Sequence, residues 1–61
     1  MTGQFVIIHL NGFRLIFVVC PLCGHLTHIP GKPRFNKAEL CYSCSQYFIA
    51  PHTLEGATEY A

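Results

Sequence analysis

The stretch CPLCGHLTHIPGKPRFNKAELCYSC, from Cys20 to Cys44, constrains this chain most: two C-x-x-C pairs separated by 17 residues. Cysteines at i and i+3 can turn both sulfurs toward one ion from a single tight turn. Two such turns supply the four thiolates that close a tetrahedral shell at ~2.3 Å per bond. The interval lies within the ~15–20 residues that separate the pairs of a zinc site. Pro21 fixes φ after the first ligand, and Gly24 can take the left-handed conformation after the second. The second turn, CYSCS, has Ser45 where the first has Gly24. Serine tolerates that conformation less well, so the second turn is the less ideal of the two. The prediction is one zinc ion held by Cys20, Cys23, Cys41 and Cys44.

Four cysteines have two other common uses. Two disulfides would require an oxidising compartment, and no stretch of the chain reads as a secretory signal. The expectation is therefore an intracellular protein, cytoplasmic or nuclear. CPLCG also resembles one knuckle of the rubredoxins, which hold iron in a four-cysteine site and would imply redox function. Rubredoxins carry glycine after both knuckles, a longer interval and a markedly acidic chain. This sequence departs on all three counts.

A domain of 61 residues buries only about 60% of the surface its unfolded chain exposes. Domains this small commonly need a staple, and a structural zinc supplies ~10–16 kcal/mol of apparent binding free energy coupled to folding. The chain is expected to unfold or loosen without metal. Its formal charge is +1 with neutral thiols, and four thiolates with one dication change that to −1. Such a domain exerts no general pull on nucleic acid or anionic lipid. Hydrophobic residues reach 51%, which suggests a surface covered by something.

Gln4 to Val19 reads QFVIIHL, NG, FRLIFVV. Asn-Gly between two β-branched, apolar runs signals a hairpin, because a type I′ turn needs φ > 0 at both central residues. The implied register sets Leu10 opposite Phe13, His9 opposite Arg14, Ile8 opposite Leu15 and Val6 opposite Phe17. One face then carries Val6, Ile8, Leu10, Phe13, Leu15, Phe17 and Val19. The other carries Phe5, Ile7, His9, Arg14, Ile16 and Val18. Weak alternation implies that both faces are at least partly buried. Phe5 to Val19 is too short for a spanning helix, which needs ~20 residues, and it holds Arg14 in its middle.

The run Phe13–Val19 leads straight into Cys20. The first knuckle reverses the chain, so residues 25–29 should return beside that strand and make it central. Pro30 to Glu39 reads as an irregular loop because of its prolines and glycine, with Asn36 and Glu39 as a weak helical-cap signal. Gln46 to Ala50 reads as a short last strand. Residues 51–61 show little pattern and are expected to be a tail, mobile unless it docks.

CPLCG, the 17-residue interval and CYSC, each knuckle followed by a strand, resemble a zinc ribbon over residues 13–50. That likeness implies a small metal-bound all-β fold. Two knuckles would grip one zinc beside an antiparallel three-stranded sheet, here extended by the N-terminal hairpin (4–19) into a domain spanning 1–50. Cys20, Cys23, Cys41 and Cys44 would be the ligands. Many zinc ribbons serve nucleic-acid machinery and others are plain interaction modules, so the fold does not fix the function.

Four thiolates fill the shell that a catalytic zinc leaves open for water, so no enzyme is expected, and no small-molecule substrate. His25 and His28 would point to opposite sides of a strand and cannot chelate together. His9, near the turn, and His52, in the tail, read as solvated. Two binding surfaces stand out. The loop GKPRFNK offers Lys32, Arg34 and Lys37 around Phe35, a set able to hold phosphate and stack a base of single-stranded nucleic acid; the alternative is a merely solvated loop. Phe5, Ile7, Ile16 and Val18 offer an apolar face to a protein partner or a second copy, and residues 4–10 an open edge strand. Against that, the second knuckle's strand and the tail could fold over the face. The leading expectation is a non-catalytic module docking through its hairpin onto a protein, in machinery that handles nucleic acid. The alternative is direct nucleic-acid binding through residues 31–37.

Overall fold

A computed structural model describes residues 1–60. Six strands make up its regular structure: β1 Gln4–Leu10, β2 Phe13–Val19, β3 Leu26–Ile29, β4 Ala38–Leu40, β5 Tyr47–Ile49 and β6 Thr58–Tyr60. They form a four-stranded sheet in the order β3-β2-β1-β6 and a two-stranded sheet of β4 and β5. No helix among the described residues is long and apolar enough to cross a membrane.

The hairpin has the register that its sequence implies. Leu10 pairs with Phe13, His9 with Arg14, Ile8 with Leu15 and Val6 with Phe17. Asn11 and Gly12 carry φ of 51° and 81°, the pair of positive values that a type I′ turn demands. β2 is the central strand of the antiparallel part, paired with β1 on one side and β3 on the other.

Three features depart from expectation. β6 pairs parallel to β1, Val6 with Thr58 and Ile8 with Tyr60, so the sheet is mixed and β1 is not an edge. Residues 51–60 are thus not a loose tail: they carry this strand, and Leu54 and Ala57 pack on the core. The tail's last residue, Ala61, lies outside the described residues. β4 begins inside the segment read as irregular, and no helical turn follows Asn36, whose φ is 56°.

The N-terminus ties the two sheets together. Gly3 N–H donates to Ile49 O (2.8 Å) and Ile49 N–H donates to Met1 O (2.9 Å). A β-carbon on Gly3 would stand 2.6 Å from Val19 O and 2.8 Å from the Phe48 ring. Only glycine lets the first residues pass between the sheets.

The core lies between the sheets. Phe5, Ile7, Ile16, Val18 and Ile29 meet Phe48, Ala50, Cys20 and Cys41, all buried. Phe35 adds an edge-on contact to Phe5, with ring centroids 5.9 Å apart and planes at 85°. The face containing Phe5, Ile7, Ile16 and Val18 is therefore interior, and the expectation that it docks a partner is corrected. β5, the second knuckle and residues 54–57 cover it. The other face of the same sheet has no second layer.

Candidate metal centre

Each knuckle is built by the same two backbone hydrogen bonds. Cys20 N–H donates to His25 O (3.0 Å) and Gly24 N–H donates to Cys20 O (2.9 Å). In the second, Cys41 N–H donates to Gln46 O (2.9 Å) and Ser45 N–H donates to Cys41 O (2.8 Å). Both turns end on a left-handed residue, Gly24 at φ 79° and Ser45 at φ 62°. Serine thus adopts in the second turn the conformation that glycine supplies in the first.

The four sulfurs converge. Every pair lies within 4.8 Å, with Cys20 Sγ 3.7 Å from Cys44 Sγ and Cys23 Sγ 3.4 Å from Cys41 Sγ. A tetrahedron with ~2.3 Å metal–sulfur bonds has edges of ~3.8 Å, so the cluster has the size that a four-thiolate ion needs. None of the four cysteines is in a disulfide. Cys20 and Cys41, the first ligand of each knuckle, are buried, Cys44 is half-buried, and Cys23 is exposed.

Backbone N–H groups reach three of the four sulfurs, those of Cys20, Cys41 and Cys44. Leu22 N–H points at Cys20 Sγ (3.4 Å). Cys41 is lowered from 9.0 to about 6, chiefly because the Cys44 N–H bonds its sulfur, with burial opposing and the Cys23 thiol and Ser43 N–H assisting. Cys44 feels the Gln46 N–H, which favours its thiolate. Burial and the crowding sulfurs of Cys41, Cys20 and Cys23 outweigh that and push it up to about 12. Four thiolates this close repel one another, and a dication removes the conflict by holding all four ionised.

The remaining candidates do not join this centre. His25 and His28 are exposed, and His28 lies against Phe17 with ring centroids 5.3 Å apart. His9 Nε2 instead meets Glu59 Oε1 at 2.9 Å, joining β1 to β6. In the basic loop, Arg34 Nη2 donates to Glu39 Oε1 at 3.0 Å, and Glu39 is only 6% exposed. With Phe35 leaning on Phe5, Lys32 and Lys37 are the loop's cations without an ion-pair partner among the described residues. Gly3 and Glu39 are structural positions that the sequence reading missed. Gly3 carried a signal: its parity in the strand is that of Phe5 and Ile7, so a side chain there would point into the core.

No protein-family model, curated protein or solved structure matches this chain.

Proposed function

We propose that this chain is a non-catalytic module, stapled by one structural zinc, that binds a protein through the outer face of its four-stranded sheet. The C-x-x-C interval and the departures from the rubredoxin pattern support zinc over iron; the tetrahedron of sulfurs suits either ion. The observation that carries the binding role is the composition of the uncovered face. By strand alternation it gathers exposed Leu10, Phe13, Leu26 and Tyr60 with half-buried Ile8, Leu15, Phe17 and Val19 and buried Val6 on one side. Phe13 is 70% exposed, Tyr60 56% and Leu10 55%. Contiguous exposed apolar surface on so small a domain marks an interaction site. A place in nucleic-acid machinery is proposed on the zinc-ribbon resemblance alone. Direct nucleic-acid binding is the weaker reading, since Arg34 and Phe35 have partners within the chain.

The test is a photo-crosslinking amino acid placed at Phe13 and, separately, at Lys32, in zinc-loaded protein within its native host. Protein adducts from position 13 are expected. Adducts to nucleic acid from position 32, with none from position 13, would overturn the proposal.

A further inference from the structure

We propose that the outer sheet face is the contact of a two-fold symmetric dimer, its occupant being a second copy of this chain. The inference rests on the docking reading above and names the partner. It follows from how charge is distributed on the sheet. Every formally charged side chain in the sheet belongs to the opposite, core-facing side: Arg14, and Glu59, which meets His9. Lys32, Arg34, Lys37 and Glu39 lie in the inter-knuckle segment and β4, and Glu55 before β6, all outside this sheet. The outer face carries none. Its polar members, Gln4, His28 and Thr58, stand around the margin: Gln4 closes the knuckle end of β1, while His28 and Thr58 lie on the outermost strands. Gln4 Nε2 already donates to Thr58 Oγ1 (3.3 Å). Leu26 and Tyr60 share those outer strands and Leu10 and Phe13 close the hairpin end, so the patch is apolar to its edges, and depletion of charge from an apolar patch is the compositional mark of an interface core.

Charge then distinguishes the occupant. Selective contact with a different protein ordinarily uses charges that complement the partner and repel others. This face has nothing of that kind to offer. A two-fold contact sets each residue against the same patch on its partner, and an uncharged patch meets its own copy without burying like charges. The geometry also permits it. Two sheets stack face to face about 10 Å apart, with inner side chains interdigitating. The area is sufficient: Phe13 and Tyr60 together present about 250 Å² if an aromatic side chain is taken as ~150–250 Å². Leu10, Leu26 and the half-buried members roughly double that, reaching ~500 Å² per partner, the lower bound for a biological interface.

The experiment is sedimentation equilibrium of the full zinc-loaded chain, with Phe13→Glu and Tyr42→Glu compared at matched concentrations. The wild type should sediment at twice its 6.9 kDa mass. Phe13→Glu should keep its zinc and weaken the dimer by about 30-fold or more, the loss expected when a carboxylate replaces an aromatic contact in an apolar interface. Tyr42→Glu, on the second knuckle, should leave the dimer unchanged. Should Phe13→Glu lose zinc, isotope-filtered NMR of mixed labelled and unlabelled wild-type chains replaces it, expecting interchain contacts from Phe13 and Leu15. A monomeric wild type overturns the proposal. So does a dimer that survives Phe13→Glu, or interchain contacts confined to the knuckles. A monomer whose position 13 still crosslinks a host protein would overturn the dimer and leave the docking role standing; a monomer without adducts would remove both.

Discussion

Gly24 and Ser45 occupy the same place in the two knuckles, each with a left-handed backbone and each donating its N–H to the carbonyl of the first cysteine four residues back. The chain thus presents one turn twice, once with the residue suited to it and once without. A left-handed non-glycine residue costs about 1–2 kcal/mol, partly offset by the lower entropy of its unfolded chain. Ser45→Gly should therefore raise stability by about 0.5–1 kcal/mol. Gly24→Ser should lower it by a similar amount, since a β-carbon there meets nothing within 4 Å and only the backbone term changes. Thermal unfolding of the zinc-loaded variants reads both. Equal melting temperatures for Ser45→Gly and wild type would mean that the second turn carries no strain.

Gly3 answers a different demand. Its substitution by alanine would drive a methyl group into Val19 O and the Phe48 ring. Overpacking of this kind costs about 1–3 kcal/mol, and the backbone atom on one side cannot swing away. Gly3→Ala should lower the melting temperature by several degrees, whereas Gly12→Ala should act only through its φ of 81°.

Much of this was readable in the residues. Asn11-Gly12 fixed the hairpin register, and the paired C-x-x-C turns located the four sulfurs. Which hairpin face lies inside was not read, because both faces are apolar and neither alternates with polar residues. The signal was nevertheless present: Cys20 shares strand parity with Ile16 and Val18, not with Phe17 and Val19. The second knuckle must come to the side on which Cys20 lies, and it brings Phe48 and Ala50 with it over Phe5 and Ile7. β6 was beyond the reach of pattern reading. Three residues, Thr-Glu-Tyr, have no period to detect, and their pairing is set by contacts some 50 positions away. β4 was hidden by the prolines just before it.

The Arg34–Glu39 pair separates structure from nucleic-acid binding. Glu39 is buried, its Oε2 has no partner among the described residues and its Oε1 relies on Arg34. Arg34→Ala would strand that carboxylate and should cost about 1–3 kcal/mol. Lys32→Ala, in the same loop, should cost less than 0.5 kcal/mol, as exposed substitutions usually do. Chemical denaturation of both variants checks this. Equal stability would return Arg34 to the set of free cations.

Proton release on metal uptake reports whether the pocket exists before the ion arrives. In the folded frame Cys41 is lowered to about 6, so its thiolate favours folding above the ordinary value of 9.0, and that contribution is lost as pH falls through about 6. Cys44 is raised to about 12, so its thiol favours folding below 9.0, a contribution lost as pH rises through about 12. A chain unfolded without metal has free thiols instead, and zinc displaces close to four protons at pH 7. Calorimetry in two buffers of different ionisation enthalpy should give that count. A count near three would mean that Cys41 is already ionised in a preformed pocket.

The dependence of the fold on its metal is tested most directly by native mass spectrometry and circular dichroism of one reduced sample, before and after chelation. One zinc per chain is expected, with the β signal lost on removal and restored on return of the metal. Cys41→Ser should bind zinc much more weakly, and His25→Ala should keep one ion. A chain that retains its full β signal after complete removal of metal under reducing conditions would contradict the account.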